Sequence, residues 1–397
     1  MSFFFVVITV LSLMYGYIGW RMIIPAALGM PWSLILWVVL VIFALLPFVP
    51  VIMRFNGIEG TAVDIAAWVG YLSFGFLTLL FALLLFKDVG WLIYMAIKKS
   101  IFFAGQTLGS GDTVSETVDP QRRRILVNSI NLGLLGVTSG LIGYGMYQAM
   151  RRPDVIELDI PIKGLPEQFE GFRIVQITDL HVSHTVRRPF IETVVRAVNE
   201  LKPDLIALTG DLVDGSVRQL GGDVAPLADL KAPYGRYFIT GNHEYYSGVQ
   251  PWLEETARLG FDVLLNEHRI ISKGEAQIVL AGVTDYSGGG FSAQHLSDPR
   301  KAIEGAANSS PKILLAHQPK SIFEAARAGY DFVISGHTHG GQYFPYHVLA
   351  AMTQPYISGL HKHDDTLIYV SRGTGYWGPQ IRIGAKSEIT VHRLVSA

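Results

Sequence analysis

Residues 332–342 read Phe-Val-Ile-Ser-Gly-His-Thr-His-Gly-Gly-Gln, and the fold is decided by how this stretch is read. Phe332, Val333 and Ile334 have the pattern of a short buried strand, Ser335 and Gly336 break it, and His337 and His339 follow at its end. In an extended segment, residues two apart project the same way, so the two imidazoles would serve one metal or two adjacent ones. A lone His-x-His is a weak metal signal. It gains weight because four other strand ends carry donors of the same class: Asp179 with His181, Asp211, Asn242 with His243, and His317. Singly, an Asp in such a loop is more often a turn residue or a helix cap. Chance does not collect Asp, Asn and five His at five strand ends.

Around this stretch, the chain from Val155 alternates strands with helical segments. Residues 155–162 alternate as a half-exposed edge strand, and 189–201 have helical periodicity. Short apolar runs at 173–178, 205–209, 237–240, 278–283, 312–316 and 332–334 read as buried strands. Strands separated by helices predict a largely parallel arrangement with ligands at the strand C-termini. Each donor cluster falls there.

Asp179-x-His181, Gly210-Asp211-x-x-Asp214, Gly241-Asn242-His243-Glu244, His317 and His337-x-His339 occur in that order. The set resembles the calcineurin-like metallophosphoesterase superfamily over roughly residues 155–394. The ending Gly-His-Thr-His-Gly-Gly-Gln, with the later Tyr369-Val-Ser-Arg-Gly-Thr-Gly375, resembles its bacterial membrane-anchored or exported branch. The resemblance implies an α/β domain, residues 155–397, in which two facing β-sheets are flanked by helices. It implies that Asp179, His181 and His339 hold one divalent ion, that Asn242, His317 and His337 hold a second, and that Asp211 bridges them.

Such a mixture of ligands suits phosphoryl chemistry. Two divalent ions about 3.5–4 Å apart need a shared anionic ligand, and together they lower the pKa of water to about 7, supplying hydroxide for in-line attack on phosphorus. Neutral imidazoles and an amide keep the site from becoming too anionic to admit a phosphate. His243 would protonate the departing oxygen, with Glu244 orienting its ring. Asp214 reads as a turn acid or an outer partner. Nitrogen and oxygen ligands without sulfur suit Mn, Fe or Zn better than Mg. Of the remaining polar residues, His184, Arg372 and Arg382 are candidates for binding the substrate anion, against the competing reading of the arginines as surface salt bridges. The apolar segment 343–360 would be either core or a lip that meets a membrane or an acyl chain.

The first 150 residues differ in character. Residues 1–53 contain one charged side chain, Arg21. Apolar runs at 3–20, 32–53, 62–86 and 125–149 each approach the roughly 20 residues that cross a bilayer, predicting an all-α transmembrane bundle of about four helices. The first run lacks a basic flank and an Ala-x-Ala-like end, which argues against a cleaved signal peptide. Lys87, Lys98, Lys99, Arg122, Arg123 and Arg124 fall between the third and fourth runs, whereas only Arg54 follows the second. By the positive-inside rule the 87–124 segment is cytoplasmic, which puts the enzyme domain outside the cytoplasmic membrane, as a multi-pass protein with a periplasmic or other extracytoplasmic catalytic domain. Arg151 and Arg152 pull the other way. Residues 121–126, Gln-Arg-Arg-Arg-Ile-Leu, resemble a twin-arginine export signal and support the outward direction. Residues 105–119, rich in Gly, Ser and Thr, read as a flexible linker.

With no cysteine the chain has no disulfide and no thiolate metal site. A formal net charge of −1 gives no basic footprint and argues against nucleic acid as partner. The reading that follows is metal-dependent hydrolysis of a phosphate ester or phosphoanhydride on a lipid or lipid-linked substrate. Its rivals are an anchored hydrolase of soluble phosphoesters and a metal-binding sensor without turnover, which would have no use for His243. A transporter is disfavoured because ionisable residues are nearly absent from the spans. Nothing in the sequence addresses the oligomeric state.

Overall fold

The computed structural model describes residues 2–55, 58, 60–107, 119–307 and 309–397. The chain divides into two compact units, Met1–Tyr144 and Gly145–Ala397. Among the described residues, four helical stretches are long and apolar enough to cross a membrane: Ile8–Ala26, Trp32–Met53, Thr61–Phe103 and Pro120–Met150. The second changes to a 3₁₀ turn at Leu46–Phe48, where Pro47 lacks an amide proton for the helical ladder. The third was expected over 62–86 but continues as one helix, Thr61–Thr107. No proline interrupts it, so nothing in the backbone stops the ladder at Lys87. Lys87, Lys98 and Lys99 therefore lie on a helix rather than in a loop. The 43 residues Thr61–Phe103 of this helix span ~65 Å, about twice the hydrocarbon core of a bilayer. Of the segment expected as a linker, 105–107 close this helix and 108–118 lie outside the described residues.

Three of the charges near the spans, Arg21, Lys87 and Asp88, gather in one place. Asp88 accepts from the Tyr17 hydroxyl and from Arg21, the Lys87 ammonium is 3.5 Å from Asp88, and Asn131 donates to the Arg21 carbonyl at 2.8 Å. Charges from two helices thus neutralise one another locally, as poorly solvated charges must, and Asn131 of another helix caps the Arg21 carbonyl.

Among its described residues the C-terminal unit has twelve strands. They are β1 (Asp154–Ile162), β2 (Arg173–Ile177), β3 (Leu205–Thr209), β4 (Arg236–Ile239), β5 (Asp262–Val263) and β6 (Glu267–Lys273). The rest are β7 (Ala276–Gly282), β8 (Lys312–Leu315), β9 (Phe332–Ser335), β10 (Gly359–His363), β11 (Thr366–Val370) and β12 (Glu388–Ser396). One sheet has the order β1-β12-β2-β3-β4-β5 and the other β10-β11-β9-β8-β7-β6. Strands β2 to β5 run parallel, as do β7, β8, β9 and β11. The central strands read as unbroken apolar runs because both faces are covered. Ile174, Leu205, Ala207 and Ile239 of the first sheet pack against Ile278, Leu280, Leu315, Phe332 and Ile334 of the second. The opposite face of the first sheet, with Val175, Ile206, Leu208 and Phe238, is covered by Ile191, Val194 and Val198 of helix Arg188–Glu200 and by Trp252. Leu314, Val333 and Ile368 of the second are covered by Ile322 and Ala325.

One polar side chain crosses this core. Gln176 of β2 donates to the Thr209 hydroxyl at 2.8 Å and the Ser335 carbonyl at 3.0 Å, and its oxygen faces His392 Nε2 at 3.1 Å. It ties the two sheets together at the ends of β3 and β9, just where the donor-bearing loops begin. The segment after β9 is not core: Tyr343 is buried, but helix Tyr346–Thr353 buries none of its residues, and Met352 is 78% exposed.

Candidate metal centre

The loops after β2, β3, β4, β8 and β9 converge. Those after β2 and β3 keep pairing beyond their strands, with Asp179 N–H donating to Gly210 O at 3.0 Å and His181 N–H to Asp211 O at 3.1 Å. Five of the expected ligands have left-handed backbone: Asp179 (φ 53°), His181 (48°), Asp211 (52°), His337 (73°) and His339 (51°). For residues with a Cβ this conformation costs about 1–2 kcal/mol each and persists only where the surroundings impose it. The left-handed turns also correct the strand-like reading of His337 and His339. Their rings enter two adjacent clusters because the chain turns between them, not because an extended strand alternates.

Fixed acceptors impose these turns. The Glu244 carboxylate accepts the backbone N–H groups of Gly241 (2.6 Å), Asp211 (3.0 Å) and Leu212 (2.8 Å). Asp179 accepts the His337 N–H at 3.0 Å, and Asp211 Oδ1 the His243 N–H at 2.9 Å. Gly241 allows the closest approach, since a Cβ there would sit 2.2 Å from Asp211 Oδ1.

Three groups of ligating atoms lie within 4.8 Å of one another: Asp179, His181 and His339; Asp211, His317 and His337; and His181, Asp211 and His243. His181 Nε2 is 3.0 Å from His339 Nε2 and 3.7 Å from Asp211 Oδ2, which is itself 3.0 Å from His317 Nε2. Asp211 thus stands between the two clusters expected to hold the ions. Divalent ions fit this donor set on the evidence of the side chains themselves. His317 Nδ1 lies 2.8 Å from the Thr209 carbonyl and must donate there; burial would lower the ring, but Asp211 outweighs it and holds His317 well above its ordinary value, so in the metal-free protein Nε2 donates to that carboxylate at 3.0 Å, where an ion would take the proton's place. Asn242 Oδ1 and His337 Nδ1 are buried without a hydrogen-bond partner. A buried polar atom left unpaired costs about 1–3 kcal/mol, and two beside an anionic Asp211 call for a cation.

Burial and charge set the protonation states. Burial alone would raise Asp211, but His317 and His243 outweigh it and hold the carboxyl well below the usual range. Asp179 is pushed up by burial and by Asp211. Burial and the neighbouring His317 lower His337 to about 3, which leaves it a neutral donor. Burial, His181 and Arg382 likewise hold His339 well below its ordinary value.

His243 stands at the edge, 14% exposed, with Nε2 4.0 Å from Asp211 Oδ2. Its Nδ1 is hydrogen-bonded to Asp214, whose other oxygen lies 3.3 Å from His181 Nδ1. Burial would lower the His243 imidazole, but Asp211 and Asp214 outweigh it and push it up to about 9. Asp214, not Glu244, orients the ring, because the Glu244 carboxylate is spent on three backbone amides. Its place in Gly-Asp-x-x-Asp, one turn beyond Asp211, was the available signal.

The expected anion-binding residues fare differently. Arg382 is buried, and its guanidinium donates to Gly375 O and Ala385 O and lies 3.1 Å from His339 Nδ1, so it positions loops and cannot clamp a phosphate. Arg372 donates through Nε to buried Glu388 at 2.6 Å, with 32% of its side chain exposed. His184 is half-buried and does not join the converging ligand atoms.

Residues 172–341 match the family described as calcineurin-like phosphoesterase. Among curated proteins, the chain is 39% identical over 268 residues to the zebrafish (Danio rerio) "Transmembrane protein with metallophosphoesterase domain", covering 64% of this chain and 60% of that protein's length. It is 38% identical over 279 residues to an "Uncharacterized metallophosphoesterase" of Helicobacter pylori, covering 69% of this chain and 72% of that one. Animal and bacterial proteins are similar to it alike, so the likeness is not to a bacterial branch alone. Among solved structures, a 5'-nucleotidase precursor from Thermus thermophilus aligns with 56% of this chain and 54% of its own, at 16% identity and a TM-score of 0.36.

Proposed function

Because this chain belongs to the calcineurin-like metallophosphoesterase family, we propose that it hydrolyses a phosphate ester or phosphoanhydride of a lipid or lipid-linked substrate with two divalent ions, Mn, Fe or Zn. The observation that supports the hydrolase reading is Asp211 itself, 3.7 Å from His181 of one donor cluster and 3.0 Å from His317 of the other, with Asn242 Oδ1 and His337 Nδ1 buried and unpaired. Asp179, His181 and His339 would hold one ion, and Asn242, His317 and His337 the other. Bound there, the ions would offset phosphate charge and acidify water. Asp211 keeps its negative charge between the clusters, and Glu244 and Asp179 hold the loops that present them. His243 stores a proton on the open side, steadied by Asp214, and delivers it to the oxygen that leaves phosphorus.

The lipid part of the reading is supported by the helix Tyr346–Thr353, which directly follows the His337–Gln342 motif and exposes Val348 (44%), Leu349 (55%) and Met352 (78%). Four helices long and apolar enough to cross a membrane support a place at a bilayer, and the zebrafish relative is named a transmembrane protein. The Lys and Arg residues of 87–124 favour the outer face of the cytoplasmic membrane for the catalytic unit. An alkaline phosphatase reporter fused after Ala397 should be active, and an inactive reporter would reverse the topology. Each buried methylene contributes about 0.8 kcal/mol, so four to six chain carbons would raise kcat/KM by hundreds-fold over a short-chain analogue. Replacing Leu349 and Met352 by Asp should remove that preference. Equal rates on long-chain and short-chain phosphoesters by the intact enzyme would leave a hydrolase of soluble substrates.

A further inference from the structure

We infer that Trp377 and Tyr246 form the subsite for the leaving group, that this group is an apolar alcohol, and that Gln342 is the positioning residue that fixes Trp377 there. The inference deepens the hydrolase reading and rests on it for the reaction. In displacement at phosphorus, the bond to the alcohol oxygen breaks and its electron pair stays on that oxygen, which takes the proton. The incoming water oxygen stays with the phosphate. A proton donor works only within about 2.6–3.2 Å of the oxygen it serves. Whatever surrounds His243 therefore touches the leaving group.

His243 has Asp214 at Nδ1 and the His181 ring at 4.6 Å. Its other ring neighbours are Tyr246 at 5.2 Å and Trp377 at 5.7 Å, both edge-on to the imidazole. Tyr246 is 58% and Trp377 47% exposed, and Phe291, itself exposed, continues from Tyr246 at 5.7 Å. An apolar aromatic ledge therefore runs outward from the proton donor. Exposed aromatic surface beside a reactive group is a binding feature rather than core. Of the two arginines expected to bind the substrate anion, Arg382 is engaged by carbonyls and Arg372 is held to Glu388 through Nε.

Trp377 lies in a loop without regular structure, so its place must be imposed. Buried Gln342, the last residue of the His-x-His motif, does this with both ends of its amide. Its Nε2 donates to the carbonyls of Trp377 and Pro379, each at 3.0 Å, and its Oε1 accepts the Trp377 N–H at 3.0 Å. Gln342 adopts φ 49°, a strained value for a residue with a Cβ, and every side-chain bond it makes goes to the Trp377 loop. The Tyr246 hydroxyl is hydrogen-bonded by the Asn242 side chain, so both rings are referenced to the loops that carry the donor clusters.

The test compares dodecyl phosphate, phenyl phosphate and glycerol phosphate as substrates of the full-length, metal-loaded protein. Wild type should favour an apolar alcohol over glycerol by about tenfold or more in kcat/KM. Preference for dodecyl alone marks an alkyl chain, and preference extending to phenyl marks any apolar face. Trp377→Ala should collapse the ratio, Trp377→Phe should retain it, and Gln342→Ala should mimic Trp377→Ala without adding to it in the double variant. A second readout needs no turnover: dodecylphosphonate should change the emission of wild type relative to Trp377→Phe. An emission change without hydrolysis of any ester would uphold the subsite and sink the hydrolase reading. Hydrolysis with an unchanged ratio in Trp377→Ala would do the reverse. Trp377 is half-exposed, so its variants remain informative even if Gln342→Ala unfolds.

Discussion

Asp214→Asn is the substitution whose consequence is most fully determined by the site. It keeps the shape and an acceptor for His243 Nδ1 but removes a charge. His243 is raised from an ordinary 6.5 to about 9, with Asp211 first and Asp214 second among the groups that raise it. Since the folded value lies above the unfolded one, the protonated ring stabilises the metal-free protein fully below pH 6.5. That contribution is lost as pH rises toward 9. At about 1.4 kcal/mol per unit, the whole window is worth on the order of 3 kcal/mol. Losing one of the two leading charges should lower the His243 pKa by roughly one unit or more, remove about 1–2 kcal/mol of that stability, and cut turnover about tenfold on the alkaline side. Imidazole NMR titration of metal-stripped wild type and variant reads the pKa, and the pH dependence of kcat reads the catalytic consequence. An unshifted His243 in the variant would show that Asp214 does not govern the ring, and the assignment of His243 as proton donor would lose its support.

Two further substitutions separate positioning from chemistry. Glu244→Gln removes the charge that gathers three backbone amides beneath Asp211, so metal affinity should fall about 10–100-fold by isothermal titration while the fold persists; unchanged affinity with lost turnover would return Glu244 to a catalytic role. Arg382→Ala strands several carbonyls and should lower stability by roughly 2–4 kcal/mol in thermal unfolding, whereas a stable variant with only a raised KM would restore it as a phosphate clamp.

The clusters were legible because metal chemistry draws on few residue types, and Asp179, His181, Asp211, His317, His337 and His339 meet as their motifs suggest. The central strands were legible too, being short, apolar and covered on both faces. Strands β6, β10 and β12 were not, because their exposed or mixed faces carry His, Lys and Arg and break the alternation that marks a strand. The fates of Glu244 and Arg382 were hidden for another reason. A charged side chain beside a motif reads as functional whether it faces substrate or backbone amides, and only the folded loops show which. Gln342 and Trp377 are 35 residues apart and meet through backbone atoms, which carry no sequence signature.

The claim on which the rest depends is that Asp211 joins two metal ions. Elemental analysis of the purified full-length chain, taken with turnover as metal is titrated back, tests it most directly. The account predicts about two ions per chain, with full activity only when both are bound, and loss of metal in Asp211→Ala. One ion per chain with full activity, or two retained in Asp211→Ala, would contradict it.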